Sequence, residues 1–318
     1  MLIPKMAYVM PLRVRLQFTT NALPSLITHA SREHEVIIVL DKCPAEYEFT
    51  RRKAMYPVTD ITSLVRDDRL GREKVYRWID SHKALLDEHH VKILEFHGDE
   101  RCWTGGLRAA GAMNAGVRAA SSDWVLAFGD EDCVFTKGWD VAMWEAIRGR
   151  DPMKYVSTPV MVMPRVHEEG FPSPPDAAWI HAQRQRCCHQ LTYPLAREFG
   201  ELSSGRIPLD AFMRFAATAR LDGTHEESCG ERQMCHWVPL LMHKSLFWSV
   251  GGYPVTDAAA CSFDLVLDDA LRERGVKKRM PLDHFILHAK HFAFLSEEID
   301  RAWGDPELLA TIQKRMIP

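Results

Sequence analysis

Asn114-Ala-Gly-Val-Arg-Ala-Ala-Ser-Ser-Asp-Trp-Val-Leu-Ala-Phe-Gly-Asp-Glu-Asp132 is the stretch on which the reading of the fold turns. A small-residue segment with helical character gives way to an apolar run, Trp124 to Phe128, which stops at Asp130, Glu131 and Asp132. A helix running into a short apolar strand is the repeating unit of a parallel α/β sheet. Such sheets bind their ligands outside the carboxyl ends of the strands. Side chains alternate along a strand, so Asp130 and Asp132 share one side and Glu131 takes the other. Two carboxylates placed this way suit Mg2+ or Mn2+, hard cations that bind one or two carboxylates and complete their shell with substrate phosphates. The plainer alternative is an acidic turn after a buried strand.

The same alternation extends outward. Tyr8-Val-Met-Pro11 reads as a first strand, followed by a helix over about 14–31 with Leu16, Ala22, Leu23, Leu26 and Ile27 on its apolar side. Val36-Ile-Ile-Val-Leu40, ending in Asp41, has no polar alternation, which predicts a strand covered on both faces. Residues 45–67 show weak periodicity and read as a loop with short helical turns. A helix over Arg72–Glu88 presents Val75, Trp78, Ile79, Ala84 and Leu85, and Val91–Phe96 is the next strand. Gly105-Gly106 opens a helix to about Ala120, and Thr136 is placed to cap a helix over Lys137–Ile147. From about 151 to 240 the pattern breaks down among prolines, cysteines and histidines. It resumes with a helix over Phe263–Arg274 and a strand over Phe285–His288. The fold expected is α/β, a mostly parallel central sheet with helices on both faces. Its divisions are 1–150 (nucleotide-binding half), 151–240 (irregular acceptor-side insertion), 241–295 (second half of the same domain) and 296–318 (helical tail).

Composition narrows the function. The chain has 318 residues, 46% hydrophobic and 26% charged, with a formal net charge of -3. That charge offers no global attraction to nucleic acid or an anionic membrane. The basic clusters Arg51-Arg52-Lys53 and Lys277-Lys278-Arg279 are short enough to be solvated faces. Neither a signal peptide nor an apolar run of roughly 18 residues is present, so the expected location is cytoplasmic. The eight Cys are scattered without a C-x-x-C pair, which favours buried free thiols over a zinc site.

Together these motifs resemble the family 2 glycosyltransferases, which have the A-type, Rossmann-like nucleotide-sugar fold. Val36-Ile-Ile-Val-Leu-Asp41 is similar to the family's second strand, which ends in an aspartate. Asn114-Ala-Gly116 with Ser122-Asp-Trp-Val-Leu-Ala-Phe-Gly-Asp-Glu-Asp132 and Gly138-Trp139-Asp140 is similar to its Asn-x-Gly helix, DxD strand end and continuation. Lys244-Ser-Leu-Phe-Trp-Ser-Val-Gly-Gly-Tyr253, then Phe263-Asp264 and Gly275, is similar to its Gly-Gly-aromatic turn and the helix that follows. The resemblance covers about 6–148 and 242–292. The chain departs from it at Phe263, where the family has glutamate, and at Ala270, where arginine is usual.

What the resemblance implies is a donor site for a nucleotide-sugar, a UDP-sugar foremost. Asp130 and Asp132 would hold Mn2+ or Mg2+, with Asp130 acting through the ribose or a water, and His288 would be a third ligand, its neighbours His284 and His291 being alternatives. Asp41 would accept a hydrogen bond from the base, or is simply a turn aspartate. Pro11, Arg13, Arg108 and Asn114 would border the nucleotide. Asp264 would be the general base of an inverting transfer, with Asp268, Asp269 and Asp257 as rivals. Two other readings stand beside this one, a sugar-phosphate nucleotidyltransferase and a non-catalytic nucleotide- or carbohydrate-binding relative. The first is disfavoured because Pro11-Leu-Arg-Val-Arg15 lacks the glycine-rich signature. Glycan, protein, small molecule and modified nucleic-acid base are all open as acceptor.

Overall fold

A computed structural model describes residues 3–12, 16–43, 61–98, 107–127, 133–166, 190–195, 215–229, 239–253 and 263–288. In chain order its main elements are β1 (Met6–Leu12), α1 (Leu16–Thr28), β2 (Glu35–Asp41), α2 (Ile61–Ser81), α3 (Lys83–Glu88), β3 (Val91–Phe96) and α4 (Leu107–Ala119). There follow β4 (Trp124–Ala127), β5 (Cys133–Phe135), α5 (Trp139–Ile147), β6 (Tyr155–Ser157), β7 (Val160–Val166), β8 (Gln190–Leu195) and β9 (Thr224–Ser228). The last are β10 (Leu240–His243), α6 (Lys244–Ser249), α7 (Phe263–Glu273), β11 (Lys277–Pro281) and β12 (Phe285–His288).

Eight strands form the central sheet in the order β3-β2-β1-β4-β10-β6-β11-β9, and a smaller sheet has the order β5-β12-β7-β8. β1, β2, β3 and β4 are mutually parallel, and β6 is parallel to β11, whereas β10 and β9 run against their neighbours. The apolar runs explain the arrangement. In β1 and β2 the alternating sets Tyr8, Met10, Ile38 and Leu40 against Ala7, Val9, Ile37 and Val39 are all buried. The first set packs with Leu23 and Leu26 of α1, Val75 of α2 and Trp139 and Met143 of α5. The second packs with Met113 and Val117 of α4, Phe247 of α6 and Leu267 and Leu271 of α7. A strand with no polar face needs a cover on both sides, and these helices supply it. Gly116 lets α4 lie close to the sheet, because a Cβ there would come within 2.2 Å of Val9 Cγ1.

Three strands of the central sheet, β4, β6 and β11, run in the same sense around β10 and each leads from its carboxyl end into the smaller sheet, as β5, β7 and β12. The smaller sheet therefore stands at the carboxyl edge of the larger one, the edge where ligands bind in this architecture.

Four expectations need correction. The helix expected from Arg72 starts at Ile61, so residues 61–67 are not loop; the polar run Arg66-Asp67-Asp68-Arg69 hides its periodicity. That helix also breaks at His82, and the change of phase buries Leu86 while leaving Ala84 exposed. Thr136 is not a helix cap. α5 starts at Trp139 behind Gly138 (φ +76°), and the Thr136 hydroxyl donates to Phe285 O at 3.1 Å and accepts from Phe285 N at 3.2 Å, tying β5 to β12. Finally, the region read as irregular contributes β6, β7, β8 and β9; β7 and β8 pair with each other, while β6, β7 and β9 also pair with strands distant in sequence. No helix among the described residues is long and apolar enough to cross a membrane.

Candidate functional site

β4 ends at Ala127, three positions before Asp130 in sequence, and β5 opens at Cys133, one after Asp132. Cys133, the first described residue after Asp130-Glu131-Asp132, opens β5 and is paired with His288 in the antiparallel β5–β12 ladder. The two Cα atoms of such a pair lie about 4.5–5.5 Å apart, and Asp132 is one peptide, about 3.8 Å, from Cys133. A histidine 155 positions on in sequence is thus brought opposite Cys133. His288 is buried, at 4% exposure. Its neighbour His284 pairs with Asp283 at 2.8 Å. Asp130, Asp132, Arg13, Asp257 and His291 lie outside the described residues.

Asp41 ends β2 at the same edge, buried, and its Oδ1 accepts from Cys43 N at 2.9 Å. That bond to the residue two positions on is an Asx turn. A carboxylate has further acceptor positions beyond it. Pro11 is half-buried near the end of β1, opposite Val39. Arg108 is the second residue of α4, the helix that feeds β4, and only its backbone is described.

The three carboxylates of α7 are placed differently. Asp268 is buried and pairs with buried Lys278 of β11 at 3.3 Å. Asp269 is exposed and pairs with Arg272 at 2.9 Å. Asp264 is the second residue of the helix, described as backbone. α7 turns through Gly275 into β11, and the Asp268–Lys278 pair sets mid-helix level with the start of that strand. The turn before, which contains Asp264, accordingly lies toward the carboxyl edge. Glu227 lies opposite Lys278 on β9. Burial pushes the nearby Cys229 thiol up to about 12 against the opposing charge of Lys278, so Cys229 is an inert buried thiol, as are Cys43 and Cys133 in their burial.

Asn114, expected at the nucleotide, spends its carboxamide elsewhere. Nδ2 donates to Tyr253 O at 2.8 Å, and Tyr253 N donates to Oδ1 at 2.9 Å. Sequence reasoning also passed over the role of Asp140. It is fully buried and accepts from Ser31 N and Oγ and from His34 Nε2. Met6 N donates to His34 Nδ1, which leaves the imidazole proton on Nε2, facing Asp140. Burial alone would raise the Asp140 carboxyl, but the hydrogen bonds from His34 and Ser31 outweigh it and hold it below the usual carboxylate range. The available signal was position, since Asp140 lies in the first turn of α5, where an acidic residue is favoured.

No protein-family model and no curated protein matches the chain. Solved structures do, and they define the class of fold: this is the A-type glycosyltransferase fold. The chain is similar to GalNAc-T7 crystallised with UDP, GalNAc and Mn2+, at 12% identity over 98% of this chain and 54% of that one, with a TM-score of 0.51. It also matches S. aureus TarS 1-349, with UDP and without, at 12% identity over 96% of this chain and 64% of that one, with TM-scores of 0.44 and 0.42. The chain thus spans about half of the GalNAc-T7 structure and under two thirds of the TarS structures.

Proposed function

We propose that the protein is an inverting, metal-dependent glycosyltransferase that moves a sugar from a UDP-sugar to an acceptor hydroxyl. The observation that supports the reading is the pairing of buried His288 with Cys133, the residue that follows Asp132 in sequence. Carboxylates and a neutral imidazole form a donor set that fits Mn2+ or Mg2+. Asp132 and His288 hold the ion in this reading, with Asp130 acting through the ribose or a water. Bound there, the ion neutralises the charge that develops on the leaving diphosphate.

The remaining roles fall to the chain itself. Asp41 accepts from the base, and Pro11, Arg13 and Arg108 border the nucleotide. Asp264 takes the acceptor's proton as its oxygen attacks the anomeric carbon and the bond to the diphosphate breaks, so that a single displacement inverts that carbon. Asp268 is committed to Lys278, and exposed Asp269 pairs with Arg272, which supports Asp264 over both. The region 151–240 shapes the acceptor site, and GalNAc-T7, similar in fold, was crystallised with UDP and Mn2+.

Thermal unfolding with UDP and GDP, with and without Mn2+, tests this on the wild type, Asp132→Ala and His288→Ala. At 100 times Kd a ligand adds about 2.7 kcal/mol. Stabilisation by UDP that requires Mn2+ and disappears in both variants is the expected result. No nucleotide effect, or an equal effect in Asp132→Ala, overturns the site.

A further inference from the structure

β10 pairs antiparallel with β4, Leu240 opposite Ala127 and His243 opposite Trp124, so it ends at the edge of the sheet away from the acidic triplet. The next residues return along α4 through three successive ties. Lys244 N donates to Asp123 O at 2.7 Å and its Nζ donates to Ala120 O. The Arg118 guanidinium lies 5.2 Å from the centre of the Trp248 ring. Asn114 then holds both backbone groups of Tyr253. Partner numbers fall along α4 as they rise along the returning segment, so the two run antiparallel, and Asn114 makes the tie closest to the start of α4 and to the site edge.

The last tie is unlike the others. A carboxamide offers one acceptor oxygen and N–H donors, the same groups as a peptide. Asn114 uses one of each on a single residue, in the manner of a strand partner. Tyr253 is 1% exposed and its ring meets Phe247 edge-on at 5.6 Å. Before it, Gly251 and Gly252 take φ +90° and +70°, with Gly252 N donating to Phe247 O at 2.9 Å. A Cβ on Gly252 would lie 2.7 Å from Asn114 Oδ1. Gly252 is glycine partly because Asn114 comes this close.

We infer that Asn114 is a positioning residue: its clamp on Tyr253 delivers the chain that leads to Asp264 to the edge of the site, and it makes no contact with the nucleotide. This rests on the proposed transferase reading, in which Asp264 must meet the acceptor. The clamp engages both the oxygen and the nitrogen of the carboxamide and fixes its direction toward Tyr253, and the motif's two residues divide the work. Gly116 lets α4 approach the sheet, and Asn114 lets the Gly-Gly-Tyr turn dock on α4.

Asn114→Ala and Asn114→Asp test it in the full chain by UDP titration with Mn2+, by the kcat and KM of UDP-sugar hydrolysis, and by hydrogen exchange at the Tyr253 amide. Losing the clamp should speed that exchange about tenfold or more. UDP affinity and KM should stay within about twofold of wild type while kcat falls about tenfold, the pattern of lost positioning and not of lost donor binding. Asn114→Asp should resemble Asn114→Ala, because a carboxylate cannot donate to Tyr253 O. In the Asn114→Ala background, Gly252→Ala should cost less than in the wild type. UDP affinity weakened tenfold or more with Tyr253 exchange unchanged would make Asn114 a donor contact and overturn the inference. A wild type that neither binds nor hydrolyses a nucleotide-sugar would sink the transferase reading, and exchange at Tyr253 and the Gly252 coupling would still decide the clamp.

Discussion

The two halves of the central sheet are built on different principles. In the half formed by β3, β2, β1 and β4, strands are sandwiched between helices over a hydrocarbon core, with the buried carboxylates Glu35 and Asp41 confined to the two ends of β2 and Asp140 to the first turn of α5. In the half formed by β6, β11 and β9, the interior carries charge: Lys278 at 2% exposure, Asp268 at 6% and Glu227 at 8%. Between those carboxylates the first half asks mainly for side chains that are apolar and of the right size. The second requires particular partners, because a buried charge deprived of its counter-ion is expensive.

The largest effect should therefore come from Lys278→Met. Leaving Asp268 and Glu227 in place without the ammonium should cost about 3–5 kcal/mol in denaturant unfolding, and Lys278→Met with Asp268→Leu should recover much of it. A loss under about 1 kcal/mol would show that water reaches this side of the sheet and would blunt the contrast. In the apolar half the sensitive point is steric. Gly116→Ala puts a Cβ 2.2 Å from Val9 Cγ1 and 2.9 Å from Val39 Cγ2, and should cost about 1–3 kcal/mol by overpacking, read as a lower urea midpoint. Equal costs at Lys278 and Gly116 would erase the distinction.

The smallest effect concerns pH. His29, buried at the end of α1, donates from Nδ1 to Phe135 O at 2.6 Å. Burial holds its imidazole below the ordinary histidine pKa, with Lys137 acting in the same direction and the Phe135 bond opposing. A group whose folded pKa is depressed contributes stability that is complete above its unfolded value, near 6.5, and is lost as pH falls toward the folded value. The wild type should lose less than about 1.4 kcal/mol per pH unit below about 6.5 on this account. His29→Asn, which keeps a donor for Phe135 O, should flatten that part of the curve. An unchanged slope would place the titration elsewhere.

The contrast also explains what could be read in advance. Val91–Phe96 and Phe285–His288 are strands with the bounds their apolar runs imply, and β1, β2, α4 and α7 fall within a few residues of expectation. β6 and β9 escaped because strands carrying Ser157, Glu227 and their polar neighbours have no apolar signature. At the candidate site, Asp41 ends β2 and His288 ends β12, the strand ends their apolar runs imply. The sequence could not show that Asn114 bonds Tyr253, 139 residues away, or that Asp268, the rival of Asp264, is paired with Lys278, because spacing alone reveals neither contact.

By itself the sequence determined the strand–helix alternation and the strands buried on both faces, because apolar periodicity is a local property that each segment carries with it. The tertiary structure decided which distant segments meet: Cys133 with His288, Asn114 with Tyr253, Asp268 with Lys278. Those pairings depend on strand register and on where buried polar groups find partners, and both are settled only when the layers pack.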